Sequence, residues 1–310
     1  MYSFEHYIHF VDGKVTEDNL PKEVVVNDTT ITFKYGEPIQ LHVVVDVKNE
    51  MSLHYVFEDN VHAEVIETRH VEENGVLNRT FTNGAYSHVN FFNENEGTGK
   101  NTYLDEGHSS HDSMLQLGYS ELSDASIEAS YTFELDGERA DVRLRMAVLS
   151  KDKEKKHYKV HIKHNAPHTT GIMDNYGVAK DEAHLVIDGI GTITNGQNGS
   201  ASHQTNKIIV FDPKCYASAN PFLYIDEYDV QASHAAGVGK MDEEHLYYLQ
   251  SRGLTKRQAM QLITYGYLMP VVEVVDNQMI KERFELALSK VGASTCSRER
   301  WTPISRPADK

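Results

Sequence analysis

The sequence predicts a mainly-β body followed by a small helical segment, and three observations carry that prediction. From about Glu23 to Ser233 nearly every segment is short and rich in Val, Ile, Tyr, Phe and Thr, and many alternate apolar with polar residues. Turn pairs such as Asn74-Gly75, Asn83-Gly84, Asp136-Gly137 and Asp188-Gly189 punctuate them. After His234 the pattern changes to helix caps and helical-period apolar stripes.

Taken in order, the strand-like segments include EVVVN, IQLHVVVDV, SLHYVFED, HAEVIETRHV, SHVNFFNE, SIEASYTFELD, ADVRLRMAVLS, HYKVHIKHN, HLVIDGIGTITN, KIIVFDP and FLYIDEYDV. No helix-period pattern intervenes, so residues 23–233 read as one undivided β body behind a lead-in over residues 1–22. A sandwich, a barrel and a β-helix of stacked coils are all compatible. Many similar strands in one body favour stacked coils, although no strict solenoid repeat motif is present. KDKEKKH, Lys151 to His157, reads as a solvated hairpin tip.

The helical segment spans residues 234–292. Asp242 caps a first helix, with Glu243 and Glu244 set against its N-terminal dipole, and Gly253 ends it. Thr255-Lys-Arg-Gln258 is a capping box opening a second helix that carries Ala259, Leu262 and Ile263 on one face. Pro270 stops that helix. Asp276 caps a third, whose stripe is Ile280, Phe284, Ala287, Leu288 and Val291, closed by Gly292. Such a stripe either serves a partner or packs onto the end of a stacked β body, as end-capping of a solenoid requires, and one face does only one of these. Residues 293–310, with two prolines and no pattern, read as a loosely ordered tail.

At 310 residues, 40% hydrophobic and 25% charged, the chain has the composition of a globular protein. No run approaches the roughly 18 apolar residues of a membrane span, and no basic start leads into an apolar stretch, so a cytoplasmic location is expected. The net charge of -16 argues against nucleic acid and against an anionic membrane surface. Only Cys215 and Cys296 occur, which excludes a disulfide scaffold, a zinc knuckle or a four-cysteine cluster within the chain. Both are expected to be reduced and inert.

Motifs of established chemistry are mostly missing. GVGK ends in Gly-Lys, but a phosphate-binding loop needs glycine where His234 stands and Ser or Thr where Met241 stands. HExxH and GxSxG are absent. There are 17 histidines, most of them single on strands, such as His42, His54 and His88. In HIKHNAPH, His161 and His164 point to opposite faces of a strand and cannot grip one ion without a bulge. A β-helix polysaccharide lyase or hydrolase is the enzyme reading, weakened by the lack of a secretion signal. His234 remains. An imidazole can ligate iron or zinc, Ser233 beside it is placed to orient the ring, and the small residues AAGVG let another chain come close. One histidine completes no site alone, so it is either structural or shared at an interface.

SHAAGVGKMDEEHLYYLQSRGL followed by TKRQAMQLITYGYL resembles the C-terminal signature of the SufB/SufD family, scaffold subunits of the SUF iron–sulfur cluster assembly machine. DGIGTITNGQNGSASHQTNKIIVFDPK and PFLYIDEYDVQASH resemble the last coils of that family's β-helix, and FVDGKVTEDNLPKEVVV the opening of its core. The resemblance implies a right-handed parallel β-helix and a helical segment that docks the ATPase SufC. It also implies pairing with a SufB-like subunit, or with a second copy, through the last strands. In the family a cluster-building site lies at that pairing surface, with a cysteine and a glutamate from SufB and the histidine matching His234 from SufD.

Here Thr205 stands at the cysteine position and Ala235 at the glutamate position, which points to the SufD branch. The implied roles are a scaffold without catalysis and no cofactor bound by the isolated chain. Iron or a cluster is shared through His234, and Lys256, Arg257 and Tyr265 lie on the face that meets the ATPase. Cys215 matches no cluster cysteine. The helical N-terminal region of longer relatives is expected to be missing, a short form.

Overall fold

The computed structural model describes residues 3–274 and the backbone of 278–291, with side chains as far as Leu288. The expected cap at Asp276, the stop at Gly292, the end of the stripe at Val291, Cys296 and the tail lie outside the described residues or side chains.

The chain opens with two antiparallel hairpins, β1 (Tyr7–Val11) with β2 (Lys14–Asn19) and β3 (Val24–Asn27) with β4 (Thr30–Phe33). Next come β5 (Ile39–Val47), β6 (Glu50–Phe57), β7 (His62–Val71), β8 (Val76–Asn83) and β9 (His88–Asn95). β10 (Thr98–Ser109), β11 (Met114–Glu121), β12 (Asp124–Leu135), β13 (Asp141–Ser150) and β14 (Lys155–His164) follow. The last are β15 (Thr170–Ala179), β16 (His184–Ile193), β17 (Ser200–Val210), β18 (Tyr216–Ile225) and β19 (Val230–Lys240). One ten-stranded sheet runs β19-β17-β15-β13-β11-β9-β7-β5-β1-β2, and a nine-stranded sheet runs β18-β16-β14-β12-β10-β8-β6-β4-β3. All ladders between coils are parallel, giving a β-solenoid of about seven turns.

The absence of a strict repeat has a geometric reason. The offset between stacked residues grows from 24, where Ile39 faces Ala63, to 32, where His184 faces Tyr216. What does repeat is a backbone conformation. Asn60, Tyr86, Asp112, Arg139 and His168 stack at one corner with φ between 54° and 61°. Each donates its N–H to a carbonyl of the next coil: Ala85, His111, Glu138, Pro167 and Asn198 respectively. A left-handed residue costs about 1 kcal/mol or more unless it is Gly, Asn or Asp. The coil-to-coil bond offsets that cost, so Tyr, Arg and His are held there and no sequence signature survives.

Alternation sends one face of most strands into a core between the sheets, where rings such as Tyr119 and Tyr131 stack at 4.5 Å. The core also holds a buried ionic network. Arg79 bonds both oxygens of Asp105, at 2.8 and 2.6 Å, and pairs with Glu67; Arg69 pairs with Glu121. Removing any single member would strand a buried charge, at a cost of about 3–5 kcal/mol.

Helix α1 (Glu243–Ser251) is capped by Asp242, which accepts from the Glu244 N–H at 2.8 Å. The capping box of Thr255 and Gln258 opens α2 (Lys256–Leu268), and Pro270 falls in a 3-10 turn, Met269–Val274. Helix α3 is Gln278–Val291. These elements do not close the end of the solenoid. Leu268, Val271, Val274, Ile280, Phe284 and Leu288 pack on Ile66, Phe92, Leu122, Ala147, Leu149 and Val178, along the flank of the ten-stranded sheet. The Arg283 guanidinium clamps α3 to Glu94 at 2.7 Å.

Several expectations change. The sheets begin at Tyr7, inside the supposed lead-in, and the last strand runs through His234 to Lys240. Leu262 is 48% exposed, so the buried stripe of α2 is Ala259, Thr264 and Leu268. Lys151 to His157 turns a corner between two coils; Lys156 there is buried, donating to the Ser123 and Leu149 carbonyls. Asp188-Gly189 lies inside β16.

Candidate functional site at the open end of the solenoid

Because the helices lie on the flank, β18 and β19 end their sheets with no strand beyond them among the described residues. No residue of β19 is buried, and Tyr216, Phe222, Tyr224 and Val238 are exposed. No described strand pairs with the outer side of these two edges, which makes them a template for another chain.

Register fixes which way each residue faces. His234 stands opposite Gln204, while Ala235 stands opposite Thr205. Gln204, Ser202 and Asn206 are buried, so His234 is on the interior side of its sheet, exposed because none of the described residues covers the end. Thr205 is on the outer side. The two positions are neighbours along the ladder but face opposite ways. Ser233 is also on the outer side, where its hydroxyl meets His203 Nδ1 at 2.8 Å, so it does not orient the His234 ring. A Cβ at Gly237 or Gly239 would meet nothing within 4 Å. Open space there lets a second backbone approach.

Sequence reasoning missed what lies beneath His234. Gln204 donates to the Phe222 carbonyl at 2.9 Å, and Asn175 donates to Asn206 Oδ1 at 2.8 Å. Gln204 Oε1, Asn206 Nδ2 and Asn175 Oδ1 are buried without partners. Gly189 makes room for these amides, since a Cβ there would sit 2.5 Å from Asn206 and 2.6 Å from Gln204. The signal was present as polar residues at alternate positions of SASHQTN, but only with register does it become one interior patch.

Cys215 packs half-buried at the corner before β18, its Sγ 3.5 Å from the Asp181 carbonyl, and burial pushes its thiol pKa up. That is a structural environment. His161 meets Thr192 outside and His164 meets Thr169 inside, on opposite faces as expected. Among the described residues, ligand atoms of His108, Glu134 and Asp136 converge within 4.8 Å. Asn165 already donates to both carboxylates and Lys163 pairs with Glu134, so these acceptors are satisfied.

On the helical side, Lys256 and Arg257 are exposed at the first turn of α2 and line a cleft of about 370 Å³ with Leu149, Phe211 and Met260. Tyr265 is not on that free face. It is half-buried, and its hydroxyl donates to Glu285 at 2.8 Å, joining α2 to α3. Desolvation and Glu285 push its pKa up to about 12. No helix of the described residues is long and apolar enough to cross a membrane.

Comparison with known proteins identifies the family. Residues 31–267 match the family model described as SUF system FeS cluster assembly, SufBD core domain. The iron-sulfur cluster assembly protein SufD of Bacillus subtilis is 31% identical over 192 residues, 61% of this chain and 44% of that protein. SufD of Escherichia coli is 23% identical over 171 residues, 55% of this chain and 40% of that protein. A SufBD family protein of Staphylococcus saprophyticus is 26% identical over 129 residues, 39% of this chain and 28% of that protein. The matched region thus spans less than half the length of these curated relatives. Matched from the first coils through the last strand and into α2, the chain belongs to the SufBD core family of the SUF system for FeS cluster assembly and is SufD-like within it.

Proposed function

We propose that this chain is a non-catalytic scaffold subunit of an iron–sulfur cluster assembly complex. It pairs through β18 and β19 with a SufB-like subunit, and α2 presents Lys256 and Arg257 to a SufC-like ATPase, where ATP is hydrolysed. The observation that carries the reading is the end that the described residues leave uncovered: two edge strands, open space at Gly237 and Gly239, and one imidazole, His234, on the interior side. The partner supplies the thiolate and carboxylate that Thr205 and Ala235 do not, and His234 contributes a nitrogen ligand to shared iron or cluster.

The test is co-purification with the native partners, followed by iron and sulfide analysis of wild type and His234→Ala. The complex should form in both and lose iron and sulfide in the variant. Equal loading removes the ligand role of His234, and failure of the wild-type chain to recruit partners removes the scaffold reading.

A further inference from the structure

On the outer face of the ten-stranded sheet, away from the open end, β7 and β9 bring four donor side chains into a square. His62 stands opposite His88 and Glu64 opposite Asn90, with one residue between corners along each strand. The two imidazole rings have centroids 6.0 Å apart. Glu64 uses one oxygen to accept from Gln40 at 3.0 Å; its other oxygen is buried with no partner. Asn90 Oδ1 beside it is likewise buried and unpartnered. The square forms one wall of a cleft of about 560 Å³, with Glu5 and His6 on another, and no Lys or Arg lines it among the described residues.

Two buried acceptor oxygens without a donor, on side chains paired in the ladder, are costly unless something positive or proton-bearing joins them. The neighbouring rings supply nitrogen lone pairs. Two imidazoles with a carboxylate and an amide oxygen suit a divalent first-row transition ion and not magnesium or calcium, which prefer an all-oxygen shell.

We propose that His62, His88 and Glu64, assisted by Asn90 Oδ1, form a binding site for a divalent transition ion of the zinc class. The rings turn toward each other on binding, because Zn–N bonds of about 2 Å bring two ligating nitrogens to within roughly 3.5 Å. Both histidines are exposed, so the movement disturbs no core packing. The site is independent of the scaffold reading and does not involve His234.

The experiment is calorimetric titration of the full chain with Zn²⁺ near neutral pH, in a weakly chelating buffer, with Mg²⁺ as the comparison ion. His62→Ala/His88→Ala should lose one bound ion relative to wild type, and Glu64→Gln should weaken that binding on the order of tenfold or more. His108→Ala should leave it unchanged, and thermal melts should confirm that all variants are folded. Unchanged stoichiometry in the double variant, or loss only in His108→Ala, overturns the site. Absence of any Zn²⁺ binding by wild type also overturns it, and leaves the Asn90 amide turned to donate to Glu64.

Discussion

His234 stands directly opposite Gln204 in the parallel ladder between β17 and β19, on the interior side of the sheet. Gln204 spends its amide N–H on the Phe222 carbonyl and keeps a buried, unpartnered oxygen. A histidine at the open mouth of the solenoid therefore rests on a polar floor. Apolar packing does not fix it there, and its value depends on what a partner adds above it.

Bulk at the approach surface should block pairing without harming the fold. Gly237→Leu projects a side chain into open space, so the isolated chain should melt within about 0.5 kcal/mol of wild type. Co-purification with the partner should nevertheless fall steeply. Retained pairing would place the interface elsewhere.

Charge reversal on α2 addresses ATPase docking. Lys256→Glu/Arg257→Glu alters two exposed side chains, so stability should change little. Affinity for the ATPase partner, read by a binding titration, should drop about tenfold or more and become less sensitive to salt. An unchanged salt dependence would remove these residues from the interface.

Acid should weaken the fold through His42. Its Nδ1 accepts the Ser3 N–H at 2.8 Å and its Nε2 lies 3.0 Å from Thr68 Oγ1, which in turn donates to Glu94. The folded state thus takes the neutral ring with its proton on Nε2. Burial, then the Arg283 charge, lower its pKa to about 3, against about 6.5 in an unfolded chain. Between those values the folded state binds fewer protons, so stability is lost as pH falls. Near pH 4.5 this ring alone should cost on the order of 2–3 kcal/mol. Urea unfolding of His42→Leu should show a shallower pH dependence than wild type; equal slopes would refute the assignment.

One glycine should prove indispensable to the coil corner. A Cβ at Gly137 would lie 1.9 Å from the His111 backbone nitrogen, and neither backbone can give. Gly137→Ala should destabilise by more than about 3 kcal/mol in chemical denaturation, or leave the chain insoluble.

Local chemistry was legible where it acts within a few residues. Asp242, Thr255 with Gln258, and Pro270 mark helix ends because a cap or a missing N–H works on its own turn. Alternation likewise marked the strands. The stacked corner of Tyr86, Arg139 and His168 was hidden because its stabilising bond comes from the next coil. The helices' docking on the flank was hidden too: an amphipathic stripe states that a face is buried and not against what.

The sequence by itself determined that this is a β body with helices beyond it, two of them marked by their caps, and its resemblance to the SufB/SufD family singled out His234. Only the tertiary structure decided that the described helices lie on the flank and leave the solenoid end uncovered, that His234 faces inward while Thr205 faces out, and that His62, His88 and Glu64 share one cleft. The reason is register. Which residues face one another across parallel strands depends on coil lengths that vary from 24 to 32 residues, and a shift of one residue turns every side chain to the other face.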